Sequence, residues 1–142
     1  MIGRALAFAL AAVAAVVLAA SASAKVPPAS LSGFVCHTAS NRLNRYVEIT
    51  GTMRPLPATG NMRMRFQLLQ RVPGHSSHQV HGGDLGMWKF PRPPLGKWEV
   101  IKQVVNLPAP TLYRLRVSFV WLRSSGAVIG SQTLLSARCE EP

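Results

Sequence analysis

The segment Met62-Arg63-Met64-Arg65-Phe66-Gln67-Leu68 constrains the fold more than any other stretch of the chain. Apolar and polar residues alternate strictly in it, and a period of two belongs to a strand with one buried face. A helix would scatter Met62, Met64, Phe66 and Leu68 around its circumference. The run Tyr113 to Trp121 alternates in the same way over a greater length. It sets Tyr113, Leu115, Val117, Phe119 and Trp121 against Arg114, Arg116 and Ser118.

Shorter runs follow the same theme. Val47, Ile49 and Met53 alternate within Tyr46 to Arg54. Trp98 to Val105 and Ala127 to Cys139 read as further strands, Gly33 to Thr38 as a short first one, and Leu85 to Phe90 as another. Between them stand residues that cannot continue a ladder. Pro55-Leu56-Pro57-Ala58-Thr59-Gly60 is one such joint, because proline lacks the N–H. Pro108 and Pro110 bracket a corner, and Ser124-Ser125-Gly126 reads as a hairpin turn. Lys25 to Ser32 reads as an extended lead-in, and the polar stretch Arg71 to Gly83 as a long loop. Short strands at this spacing predict an all-β sandwich of about seven antiparallel strands.

The first 24 residues are of a different kind. A short basic start at Met1 to Arg4 precedes the unbroken apolar run Ala5 to Ala20. Ala22-Ser23-Ala24 then fits the small-x-small cleavage pattern of a secretory signal peptide. The run is shorter than the ~20 residues that cross a ~30 Å hydrocarbon core. The expected organisation is a signal peptide at 1–24 and one domain at 25–142, secreted or held in the periplasm or at the cell surface. No later run is long enough to span a membrane. The alternative is an uncleaved anchor.

The carrying residues of a family resemblance are Leu107, Thr111 and Tyr113, followed by the alternating Leu115, Val117 and Phe119. They resemble the tyrosine corner of immunoglobulin-like sandwiches, above all of the fibronectin type III branch. Val47 to Met53 is similar to strand B of such domains, and Met62 to Leu68 to strand C. The resemblance implies that strands C and F are neighbours in one sheet. It also implies that the first and last strands lie close together.

Cys36 and Cys139 are the only cysteines. An even count in a secreted chain reads as a disulfide. The alternative is a pair of buried free thiols.

The charge balance then directs attention to function. Lys and Arg number 16 against five acidic residues, a formal net charge of +11. Arg63, Arg65, Arg114 and Arg116 each stand between inward apolar neighbours, so each points outward. With strands C and F adjacent, all four share one solvent face, and Arg138 joins them across the last hairpin. A concentrated cationic face attracts polyanions, and it also keeps a protein soluble. The expected partner is an anionic cell-envelope polymer or an acidic protein surface. Nothing in the chain reads as specific nucleic-acid recognition.

Other chemistry is less well provided for. His75, His78 and His81, with Asp84 close behind, carry donors suited to zinc, copper or nickel. Residues three apart fall on opposite faces of a strand, so a metal site would have to be assembled by the loop itself. The acids Glu48, Glu99, Glu140 and Glu141 are scattered, and no Ser stands in a recognisable relation to a His and an Asp. Neither a phosphate loop nor a nucleophile elbow is present. The expectation is a non-enzymatic binding module with no cofactor. A metal-binding protein using the His-rich loop is the first alternative, and a structural or assembly subunit the second. Trp121 and Trp98 are expected in the core, and Met62 and Met64 as core filler. Trp88 is left unassigned.

Overall fold

A computed structural model describes residues 25–142. The segment read as a signal peptide lies outside the described residues. In chain order the strands are β1 (Ala29–His37), β2 (Tyr46–Met53), β3 (Asn61–Arg71), β4 (His78–Val80), β5 (Trp88–Lys89), β6 (Trp98–Val105), β7 (Thr111–Leu122), β8 (Val128–Leu135) and β9 (Cys139–Glu141). A single 3-10 turn, Arg42–Asn44, stands between β1 and β2 and is capped by the Asn41 side chain.

The strands form two antiparallel sheets packed face to face. One has the order β1-β2-β6, and the other β4-β3-β7-β8, with β5 also paired to β3 and β9 to β7. The alternation seen in the sequence decides which faces meet. Met62, Met64, Phe66 and Leu68 of β3 are at most 1% exposed. Tyr113, Leu115, Val117, Phe119 and Trp121 of β7 join them, with Val47, Ile49 and Met53 arriving from the opposite sheet. Gly51 is the one inward position of β2 without a side chain. A Cβ there would lie 2.6 Å from Met64 Sδ and 3.2 Å from Phe66 Cζ, so the bare backbone is what admits these two side chains. Trp121 is in the core, with its indole N–H donating to Arg54 O at 2.7 Å. Trp98 is partly buried against the same cluster.

The all-β sandwich is as expected, but several boundaries differ. β1 begins at Ala29 rather than Gly33, and its register shifts between Ser32 and Val35. Gly33, at φ +61°, supplies the backbone turn that this irregularity needs. The stretch Arg71 to Gly83 holds a short strand, β4, against Leu68 to Gln70. The run Leu85 to Phe90 contributes only two residues, Trp88 and Lys89, to the sheet. The final run divides into β8 and β9. At the break, Ser136 takes over the ladder with its side chain: Leu115 N donates to Ser136 Oγ and Ser136 N donates to Leu115 O, both at 2.8 Å.

Cys36 and Cys139 are joined by a disulfide, with 5.4 Å between their Cα atoms and 103 residues between them in sequence. β1 and β9 lie in different sheets, so the bond ties one sheet to the other rather than two neighbours in one ladder. Among the described residues no helix is long and apolar enough to cross a membrane.

Candidate functional site

β3 and β7 are paired along their whole length, with Arg63 opposite Val120, Arg65 opposite Ser118, Gln67 opposite Arg116, Leu69 opposite Arg114 and Arg71 opposite Leu112. These residues form the outer face of the larger sheet, because their neighbours in sequence fill the core. Arg63, Arg65, Arg114 and Arg116 therefore do share one face. Arg138 lies at its end, lining the same cavity as Arg114 and Arg71. Strand residues two apart are separated by about 6.7 Å, so the basic strip from Arg63 to Arg71 runs for about 27 Å.

Each arginine is held differently. The Arg63 and Arg65 guanidiniums both stack on the Trp88 ring, 4.5 and 4.4 Å from its centroid. Their Nε atoms are buried and have no hydrogen-bond acceptor, so the indole face is what stands against them. Two like charges side by side on a sheet repel. The ring's negative face offsets that repulsion and fixes both side chains. Arg116 Nε donates to Gln67 Oε1 at 3.0 Å, and Gln67 Nε2 donates in turn to Gln79 Oε1 at 2.8 Å. Arg114 donates from Nε and Nη2 to Ser136 O, at 3.0 and 2.9 Å. Arg71 and Arg138 are exposed.

None of these six arginines lies within ion-pairing distance of a carboxylate among the described residues. Glu140 stands opposite Leu112 at the end of this face, and the other acids are engaged elsewhere. Asp84 accepts from Lys89 at 2.5 Å and from Lys102 of the opposite sheet. These two hydrogen bonds hold its carboxyl down to about 2. Glu99 pairs with Lys97 at 2.7 Å, and Glu48 accepts from Gln103 at 3.2 Å.

His75, His78 and His81 are all exposed. His78 opens β4 and the other two flank it in the chain. Their ring nitrogens do not converge, and Asp84 beside them is occupied by its two lysines. Among the described residues the one group of three potential metal donors within 4.8 Å of each other is Cys36, Cys139 and Glu141. The two sulfurs of that group are already bonded to each other.

Three site residues were not singled out in the sequence. Arg71 and Gln67 continue the outward alternation of β3 and were within its reach. Trp88 carries no periodic signal, because its strand has two residues and its neighbours reach it only through folding. No family model, curated protein or solved structure matches this chain.

Proposed function

We propose that this chain is a non-enzymatic binding module of the cell exterior, a fibronectin type III-like sandwich whose arginine face holds a linear anionic polymer of the cell envelope. One observation carries the reading: a row of guanidiniums about 27 Å long lies on one sheet face, and among the described residues no carboxylate is ion-paired with it. A compact soluble surface disperses its charges in both signs. Here the acids Asp84, Glu99 and Glu141 pair with other cations, and the strip is left free. Its linear form favours an extended polymer over a compact acidic protein. Stacking on Trp88 and the bond to Gln67 fix side chains in advance, which lowers the ordering cost of contact. The Tyr113 O–H bond to Pro108 O, at 2.8 Å, supports the fibronectin-like likeness. The disulfide and the N-terminal apolar segment support an oxidising compartment.

The test compares Arg65→Glu/Arg116→Glu with the equal charge change Arg92→Glu/Arg123→Glu, at exposed arginines off the strip. Binding to heparin and to poly(glycerol phosphate) is measured across salt concentrations. The first pair is expected to weaken binding at least tenfold and to flatten the salt dependence by about two units of slope. The second pair should change it by less than threefold. Equal losses would reduce the effect to net charge. Absence of binding to either polymer at about 50 mM salt would overturn the reading.

A further inference from the structure

The arginine strip ends in a depression. Arg71, Arg114 and Arg138 line a cavity of about 220 Å³ floored by Leu69, Leu112 and Leu135. Leucines on the outer face of a sheet break the polar-outside rule, and three of them meet at this one place. Arg71 and Leu112 also line a second cavity of about 610 Å³, walled by Pro73, Pro110 and Pro142. The two cavities share these two residues, so they form one groove that turns round the end of the sandwich. Its two halves differ in charge. The small half carries all three guanidiniums, while the large half shares only Arg71 and adds Glu140 and Glu141.

The guanidiniums of the small half are available. Arg71 and Arg138 are exposed and make no hydrogen bond or ion pair among the described residues. Arg114 is fixed by its two bonds to Ser136 O, which leave Nη1 unused. Three guanidiniums around one space match a group of nearly two negative charges and three acceptor oxygens. A carboxylate would leave one of them unmatched. The leucines and prolines match an uncharged, apolar continuation.

We propose that this groove binds a phosphate monoester carried on an apolar body, with the phosphate among Arg71, Arg114 and Arg138 and the body over Leu69, Leu112 and Leu135 toward the proline-walled end. The proposal rests on the reading that this face takes anions, but it uses the groove at the end of the strip rather than Arg63, Arg65 and Arg116. Glu140 of the far half, exposed and in no ion pair among the described residues, sets the direction, because it disfavours an anion at that end.

The experiment is calorimetric titration of the oxidised protein with inorganic phosphate, butyl phosphate, octyl phosphate and octanol. Full burial of one methylene multiplies affinity about fourfold. Octyl phosphate is therefore expected to bind at least ~10-fold more tightly than butyl phosphate, even with half of the added chain covered. Inorganic phosphate and octanol should each bind more weakly than octyl phosphate by a similar or larger factor. Arg71→Glu/Arg138→Glu should lower octyl phosphate affinity at least tenfold. Leu135→Ser should shrink the octyl-over-butyl preference and leave butyl phosphate unchanged. At physiological salt, Arg63→Glu/Arg65→Glu, set about 13 Å or more along the strands from Arg114, should leave octyl phosphate binding within about threefold, since charges beyond ~8 Å are screened. That last variant separates the two proposals: loss of polymer binding with octyl phosphate retained assigns two sites. Equal affinity for butyl and octyl phosphate, or indifference to Arg71→Glu/Arg138→Glu, would overturn the groove while leaving the strip untouched.

Discussion

Glu141 stands next to the end of the chain in Cys139-Glu140-Glu141-Pro142, yet it is only 1% exposed. Its Oε1 lies 3.8 Å from Cys139 Sγ, and a disulfide sulfur has no proton to donate. Its Oε2 lies 3.7 Å from Arg45 Nε, too far for a hydrogen bond, and that N–H already donates to Ala39 O at 2.6 Å. Arg45 therefore offers charge but no bond, and Glu141 Oε2 has no hydrogen-bond partner. Burial pushes the Glu141 carboxyl above its ordinary range, against the pull of Arg45 and His37. Folding thus favours the protonated acid. Its contribution to stability is complete below the ordinary value of 4.5 and is lost as the pH rises through the folded-state pKa. Glutamine resembles the protonated form at every pH. Glu141→Gln should therefore be more stable than the parent at pH 7–8 and equal to it near pH 4, by thermal melting across that range. Asp84 acts in the opposite direction and in a lower window. Its stabilisation is present above the ordinary 3.8 and lost as the pH falls through about 2. It is the same in both proteins and cancels from the difference. Parallel pH profiles for the two would show that Glu141 is ionised without cost.

The strands that were legible in the sequence are those whose two faces meet different media. β3 and β7 each bury one side, so the alternation in Met62 to Leu68 and Tyr113 to Trp121 located both and turned their arginines outward. β4 and β5 bury too little to leave a pattern. His78–Val80 and Trp88–Lys89 exist because β3 offers them an edge. The break between β8 and β9 is equally silent, since it depends on Ser136 meeting Leu115 across the sheet. Glu141 was readable in principle. With Cys139 inward, the period of two puts Glu141 inward as well, but two adjacent acids before a final proline look like a solvated end. The entry to β7 shows what local spacing does carry. Tyr113, 1% exposed, donates its O–H to Pro108 O at 2.8 Å and accepts from Gln70 Nε2 at 3.3 Å. The bond fixes the corner Leu107 to Thr111 to the strand it feeds. Tyr113→Phe leaves the Pro108 carbonyl and the Gln70 amide short of a partner in a part-buried site. The expected loss is about 1–2 kcal/mol by denaturant unfolding. Unchanged stability would remove Tyr113 from this role.

Across the whole molecule, two sheets meet through one apolar layer and are joined covalently at one place. The core supplies the association, for inward residues of β2, β3 and β7 interdigitate along most of the sandwich. At the end where Cys36 meets Cys139, the contribution from strand pairing is small. β9 has three residues, paired only to Thr111, Leu112 and Tyr113. A bond closing 103 residues there acts chiefly on the unfolded chain, where it removes about 4–5 kcal/mol of loop entropy. That is a large share of the ~5–15 kcal/mol by which a domain is ordinarily stable. Replacing both cysteines by alanine should therefore lower the unfolding free energy by about 4 kcal/mol while the sandwich still forms, because the core layer is untouched. Two readouts separate this from a local effect. Hydrogen exchange should accelerate for the slowest amides of β3 and β7, whose opening requires global unfolding. If acceleration is confined to β1 and β9 and the denaturation midpoint holds, the bond pins a fraying end instead of restricting the unfolded state. The expected outcome is the global one, since the bond spans nearly all of residues 25–142 and so limits almost every conformation the unfolded chain can take.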